Sequence, residues 1–157
     1  FLNRTLDEVT LKLLNGLHET RRVKRDSSKI GDPTAEKYGV DGEFYTEGKG
    51  WRGQEVDESV LDGNKPPGTQ PSLWLQWNPT ADARGLEWDG GGKFYYYVEW
   101  LQYLIDKVLA PRGYILRGIV DWQGEDSSDL GKIIVKNNKI TVKKAKITFY
   151  TVSSYQN

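Results

Sequence analysis

Leu6, Val9, Leu13 and Leu17 recur at three- and four-residue spacing, the period of one helix face. Thr5-Leu-Asp-Glu8 has the capping-box spacing, with the Thr5 hydroxyl able to accept from the backbone at Glu8. The pattern runs out in Arg21-Arg-Val-Lys-Arg25, basic side chains that suit a helix C-terminus, so the spacing predicts an amphipathic helix of about twenty residues. Its leucine face is expected to pack on the rest of the domain or on a second copy of the chain, a homo-oligomer through the N-terminal helix.

From Ser27 to Pro71 the pattern dissolves into Gly, Pro, Asp and Glu, with Glu43-Phe-Tyr-Thr46 and Trp51 as the apolar anchors. This is an irregular arm, closed by the turn-rich Lys65-Pro-Pro-Gly-Thr-Gln-Pro71. Leu73, Leu75 and Trp77 then alternate with Trp74 and Gln76, which reads as a strand. Asn78 to Gly85 connects it to a returning strand, Leu86-Glu-Trp-Asp89, broken by Gly90-Gly-Gly92.

Lys93 to Leu109 is predicted as the main helix, ended by Pro111 and Gly113. Phe94, Tyr97, Val98, Leu101, Leu104, Ile105 and Val108 make its core stripe. Tyr96, Trp100 and Tyr103 make a second stripe, roughly 130° away, which the first helix, the arm or an outside partner must cover. The last third reads as strands at Tyr114–Trp122, Lys132–Lys136, Lys139–Lys143 and Ile147–Val152, with Asn137-Asn138 as a two-residue turn. The expected fold is α+β: an antiparallel sheet of about five to six strands with one long helix packed on it, preceded by the amphipathic helix. The expected organisation is a single domain made of helix 1–26, arm 27–71 and core 72–157.

Composition narrows the chemistry. Among 157 residues there is no Cys, which excludes disulfides and thiolate nucleophiles, and one His, His18, which excludes a centre with several His ligands. Apolar residues make up 37% and charged residues 28%, enough for a modest core with part of the chain in loops. With neither a membrane-length apolar run nor a signal-peptide pattern at Phe1, the chain reads as soluble and cytoplasmic. Net charge is zero but segregated: residues 31–129 hold nine Lys/Arg against eighteen Asp/Glu, whereas residues 130–157 hold six Lys and no acid. Six lysines without arginine supply point charges but no bidentate forks, so sequence-specific nucleic-acid recognition is disfavoured and nonspecific contact is the minor option.

Three constellations bear on function. Asp121, Glu125, Asp126 and Asp129 with two serines offer oxygen donors for Ca²⁺ or Mg²⁺, but the spacing is not that of an EF-hand and a solvated acidic turn accounts for it. The alternative metal set would be Glu125, Asp126 and Asp129; the expectation is no metal and no cofactor. Glu87, Asp89 and Asp121, next to tryptophans, are the candidate acid and base of a carboxylate-dependent hydrolase acting on carbohydrate or nucleic acid. Tyr96, Trp100 and Tyr103, with Trp51, are the candidate binding surface, since Tyr and Trp bury much area at little entropic cost. His18, beside Glu19, is expected at the surface.

Pro71-Ser-Leu-Trp-Leu-Gln-Trp, Leu86-Glu-Trp-Asp-Gly, Lys93-Phe-Tyr-Tyr-Tyr-Val-Glu-Trp-Leu-Gln-Tyr-Leu-Ile and Val120-Asp-Trp-Gln-Gly-Glu-Asp-Ser-Ser-Asp-Leu-Gly resemble segments of a set of small bacterial and phage proteins. The resemblance covers about residues 32–142 and carries no activity or catalytic residue; Leu75 stands where a Cys is expected in that set. It implies a mobile-element or defence-related setting. Taken together, the sequence reads as a non-catalytic binding protein of phage or mobile-element type that engages a protein or small-molecule partner, with the hydrolase as alternative.

Overall fold

A computed structural model describes residues 1–30, 38–46 and 57–155, and Trp51 lies outside them. The chain divides into two compact units, Phe1–Leu116 and Arg117–Asn157. The expected boundaries at 26/27 and 71/72 do not coincide with this division. The class is mixed α and β, with antiparallel pairing throughout. In place of one sheet of five to six strands, the described residues form three small ones, of two, two and three strands.

In the first unit, α1 runs from Glu8 to Glu19 and its cap is Asp7 rather than Thr5. The Asp7 carboxylate accepts from the Thr10 amide at 2.7 Å and from the Tyr114 hydroxyl at 2.9 Å, while the Asp7 amide donates to that same hydroxyl oxygen at 2.8 Å. The helix stops at Glu19, so the basic run after it is not helical. The buried face is Thr10, Leu14, Gly16 and Leu17, rotated from the expected stripe; Val9 is 57% exposed. The packing against Thr46 requires a glycine at position 16, because a Cβ there would lie 2.7 Å from the Thr46 side chain.

Lys24–Arg25 forms β1, paired antiparallel with β2, Val60–Asp62. Around this short ladder the supposed helix terminus is buried. Arg22 is 1% exposed and donates to Gln70 Oε1 at 3.0 Å, the Tyr45 carbonyl at 2.6 Å and the Glu43 carbonyl at 2.8 Å. Arg25 is as deep, bonded to Asp57 at 3.0 Å and Ser59 Oγ at 2.7 Å, with its guanidinium over the Tyr45 ring. Burial pulls the Arg22 guanidinium down to about 10, so it is still a cation at neutral pH, solvated by protein oxygens in place of water. These bonds staple the segments at 22–25, 43–45, 57–59 and 70 to one another.

The predicted hairpin forms as β3, Trp77–Pro79, and β4, Leu86–Trp88, with Trp77 opposite Trp88. The expected strand from Ser72 is paired only from Trp77, although Leu75 is buried as the alternation required. α2 begins at Tyr97, four residues later than the periodicity predicts, and runs to Leu104; it continues as a wider π turn through Leu109 and a tight 3-10 turn through Arg112, and ends at Gly113 with φ 78°. Leu101, Leu104, Ile105 and Val108 are buried, as the core stripe required.

The second unit is an antiparallel meander of β5, Gly118–Gln123, β6, Leu130–Lys136, and β7, Lys139–Lys144. Asn137 and Asn138 sit at φ 50° and 64°, the left-handed pair that a two-residue hairpin turn demands. Gly131 lies opposite Trp122, and any Cβ there would run into the indole. Residues 147–152 do not form the expected final strand, and Tyr114–Leu116 belongs to the first unit, where Leu116 bridges to Leu2.

Candidate binding surface

The segment from Trp88 to Tyr96 joins β4 to α2, and side chains from two other places tie it down. The Asp89 amide donates to the Gln76 carbonyl at 3.0 Å, which extends the hairpin by one rung. Asp89 Oδ1 accepts from the Gly91 amide at 2.7 Å, and Oδ2 meets His18 Nε2 of α1 at 2.9 Å. Gln76 closes the loop from the other side, donating to the Gly92 carbonyl at 3.2 Å and accepting from Trp88 Nε1 at 3.3 Å. His18 is therefore not a free surface residue but an anchor for this loop.

Beyond the glycines the chain turns into α2 through two non-glycine residues in the left-handed region, Lys93 at φ 56° and Tyr96 at φ 58°. Each costs about 1 kcal/mol relative to a residue in the ordinary region. Phe94 is the inward anchor, 5.4 Å from the Trp77 ring and 6.1 Å from Tyr97, and Trp77 Nε1 donates to the Tyr97 carbonyl at 2.8 Å. Trp88, Tyr95 and Tyr96 remain 52%, 66% and 55% exposed. A fixed, strained backbone thus presents three large rings to the outside.

Of the expected aromatic stripe, Tyr96 alone belongs to this surface. Trp100 and Tyr103 are 0% and 5% exposed, packed edge to face at 5.4 Å. The chain itself covers them: Trp100 Nε1 donates to Ser72 Oγ at 2.7 Å, and the Tyr103 hydroxyl accepts from Gln70 Nε2 at 3.1 Å. Burial raises the Tyr103 phenol well above its ordinary value, so it stays protonated at neutral pH. A shallow groove of about 410 Å³ is lined by Thr69 and Pro71, by Gln102 and Tyr103 of α2, and by Asp106 of the turn after it. Neither Trp88 nor Tyr95 belongs to the expected binding set of Tyr96, Trp100, Tyr103 and Trp51; the signal for both is the run of glycines placed between aromatic residues.

The candidate acid and base residues divide between the units. Glu87 is exposed on β4, Asp89 is held by His18 and Gly91, and Asp121 of the second unit is hydrogen-bonded to Lys132. In the acidic loop, Asp126 accepts from the amide and hydroxyl of Ser128, both at 2.8 Å. Among the described residues, no group of three or more His, Asp or Glu is arranged to hold a metal ion, so Glu125, Asp126 and Asp129 do not make a cage. Asp7, Asp26, Asp57, Asp82 and Asp126 all lie below the usual carboxylate range, each chiefly through a hydrogen bond from a Thr or Ser two or three residues away. These carboxylates fix turns and caps; a general acid at neutral pH needs the opposite shift.

Among the described residues, no helix is long and apolar enough to cross a membrane. No protein-family model, curated protein or solved structure matches the chain.

Proposed function

We propose that the chain is a non-catalytic binding protein of phage or mobile-element type, engaging a protein or small-ligand partner through the loop from Trp88 to Tyr96. The observation that supports this is the pairing of exposed Trp88, Tyr95 and Tyr96 with a backbone held by Asp89, Gln76 and His18. Rings that are already oriented lose little freedom on contact, which is how aromatic residues become the centres of interfaces. The phage or mobile-element origin rests on the motif resemblance alone.

The test is affinity capture from the source cell, followed by reconstitution of the captured pair from purified components. Wild type is expected to bind a partner at fixed stoichiometry, and Trp88→Ala to lose it while keeping its melting temperature. A reconstituted complex that Trp88→Ala and Tyr95→Ala form as well as wild type would contradict the reading.

A further inference from the structure

The alternation in β5–β7 sorts the second unit's charges onto one face. Lys132 lies directly opposite Lys143, and Lys136 opposite Lys139. By the two-residue period these four lysines share their side with Ile119, Asp121, Ile134 and Thr141. Like charges directly opposite each other destabilise a sheet pair, and here two such pairs stand on one face. Asp121, bonded to Lys132, is the acidic side chain among them. Among the described strand residues of this face four lysines stand against one aspartate, a surplus of three positive charges.

An external anion would turn this repulsion into attraction. The two lysine rows are four residues apart along β6, about 13 Å, so the charges make a track rather than a point, and a polymer fits it better than a small ion. The same unit carries Phe149, Tyr150 and Tyr155 at 92%, 83% and 91% exposure on the segment that leaves the sheet after Ala145. The geometry points to a surface for single-stranded nucleic acid, bound without regard to sequence. Lysines would neutralise phosphates and the exposed rings would stack unpaired bases. The lysine points carry no bidentate forks for reading base edges, which suits a non-selective surface. The described residues of this unit contain no amphipathic helix, the usual element by which basic segments lie in a lipid interface.

Fluorescence anisotropy of the full chain with labelled oligo(dT) of twenty nucleotides, at 50 and 200 mM NaCl, tests this. With three to four phosphates neutralised, the added salt should weaken binding roughly 20- to 50-fold. Lys136→Gln/Lys139→Gln/Lys143→Gln should weaken binding at 50 mM salt at least about ten-fold and flatten the salt dependence, with a melting temperature unchanged or raised because the like-charge pairs are gone. Phe149→Ala/Tyr150→Ala should weaken binding about five-fold or more and leave the salt slope as it was. Failure of wild type to bind at 50 mM salt, or undiminished binding by the lysine variant, would overturn the proposal. So would equal affinity for a duplex of the same length, or tighter binding to phosphatidylserine vesicles than to the oligonucleotide. The wild-type salt slope needs no variant and stands even if a substituted chain folds poorly.

Discussion

His18 and Asp89, 71 residues apart in sequence, meet at 2.9 Å and join the first helix to the loop that carries the exposed rings. Both side chains are partly solvated, so the pair adds under about 1 kcal/mol to global stability. Its role is local. His18→Ala should leave the melting temperature nearly unchanged while the amides of residues 89–95 exchange faster, read by hydrogen-exchange mass spectrometry. Unchanged protection across that segment would show that the Gln76 and Asp89–Gly91 bonds hold the loop without His18.

Arg22 is the opposite case, a buried cation whose acceptors are the Tyr45 and Glu43 carbonyls and Gln70. Arg22→Met keeps much of the volume but takes the guanidinium donors from Gln70 Oε1 and the Tyr45 carbonyl in the interior, while the Glu43 carbonyl keeps its bond from Gln70 Nε2. With each of the two unpaired acceptors costing about 1–3 kcal/mol, the expected loss is about 2–5 kcal/mol, a large part of the stability of a domain this size. Chemical denaturation measures it, and a loss under 1 kcal/mol would mean that water reaches the acceptors.

Asp7 ties stability to acid pH. Its folded value is depressed, first by the Thr10 amide and further by the Tyr114 hydroxyl, so its contribution is present above the ordinary value of 3.8 and is lost as pH falls through the folded value. Asp57, depressed chiefly by the Ser59 hydroxyl, acts in the same direction. Stability should be flat from pH 7 to 5 and decline below about pH 4. Asp7→Asn, which keeps an acceptor for Thr10, should shallow that decline, and Asp7→Ala should cost about 1–2 kcal/mol at pH 7. Thermal melts across the range decide both.

What the sequence disclosed and what it hid follow from the reach of each interaction. Asn137-Asn138 and the β3–β4 hairpin were legible because the preference for left-handed backbone and the alternation around a turn act between neighbours. The start of α1 was not: Thr5 and Asp7 both offer a cap, and Tyr114, 107 residues away, decides for Asp7. Arg22 and Arg25 read as a solvated helix end because their partners Glu43, Gln70 and Asp57 are 21 to 48 residues distant. The second stripe of α2 carried the right residues for a surface, but the stretch around Gln70 and Ser72 covers Trp100 and Tyr103, and helical spacing cannot reveal a covering segment without periodicity of its own. Helical periodicity also ran straight through Tyr96, whose left-handed conformation delays α2 and turns its ring outward.

That conformation gives the central claim its most direct test. Tyr96→Gly removes both the strain of a side chain at φ 58° and the ring that the surface presents. Measured on one preparation against the captured partner, the variant should melt a few degrees higher, about 1 kcal/mol of stabilisation, and bind at least about five-fold more weakly. A variant that melts lower, or that binds the partner as tightly as wild type, would contradict the account of a strained loop held in place for recognition.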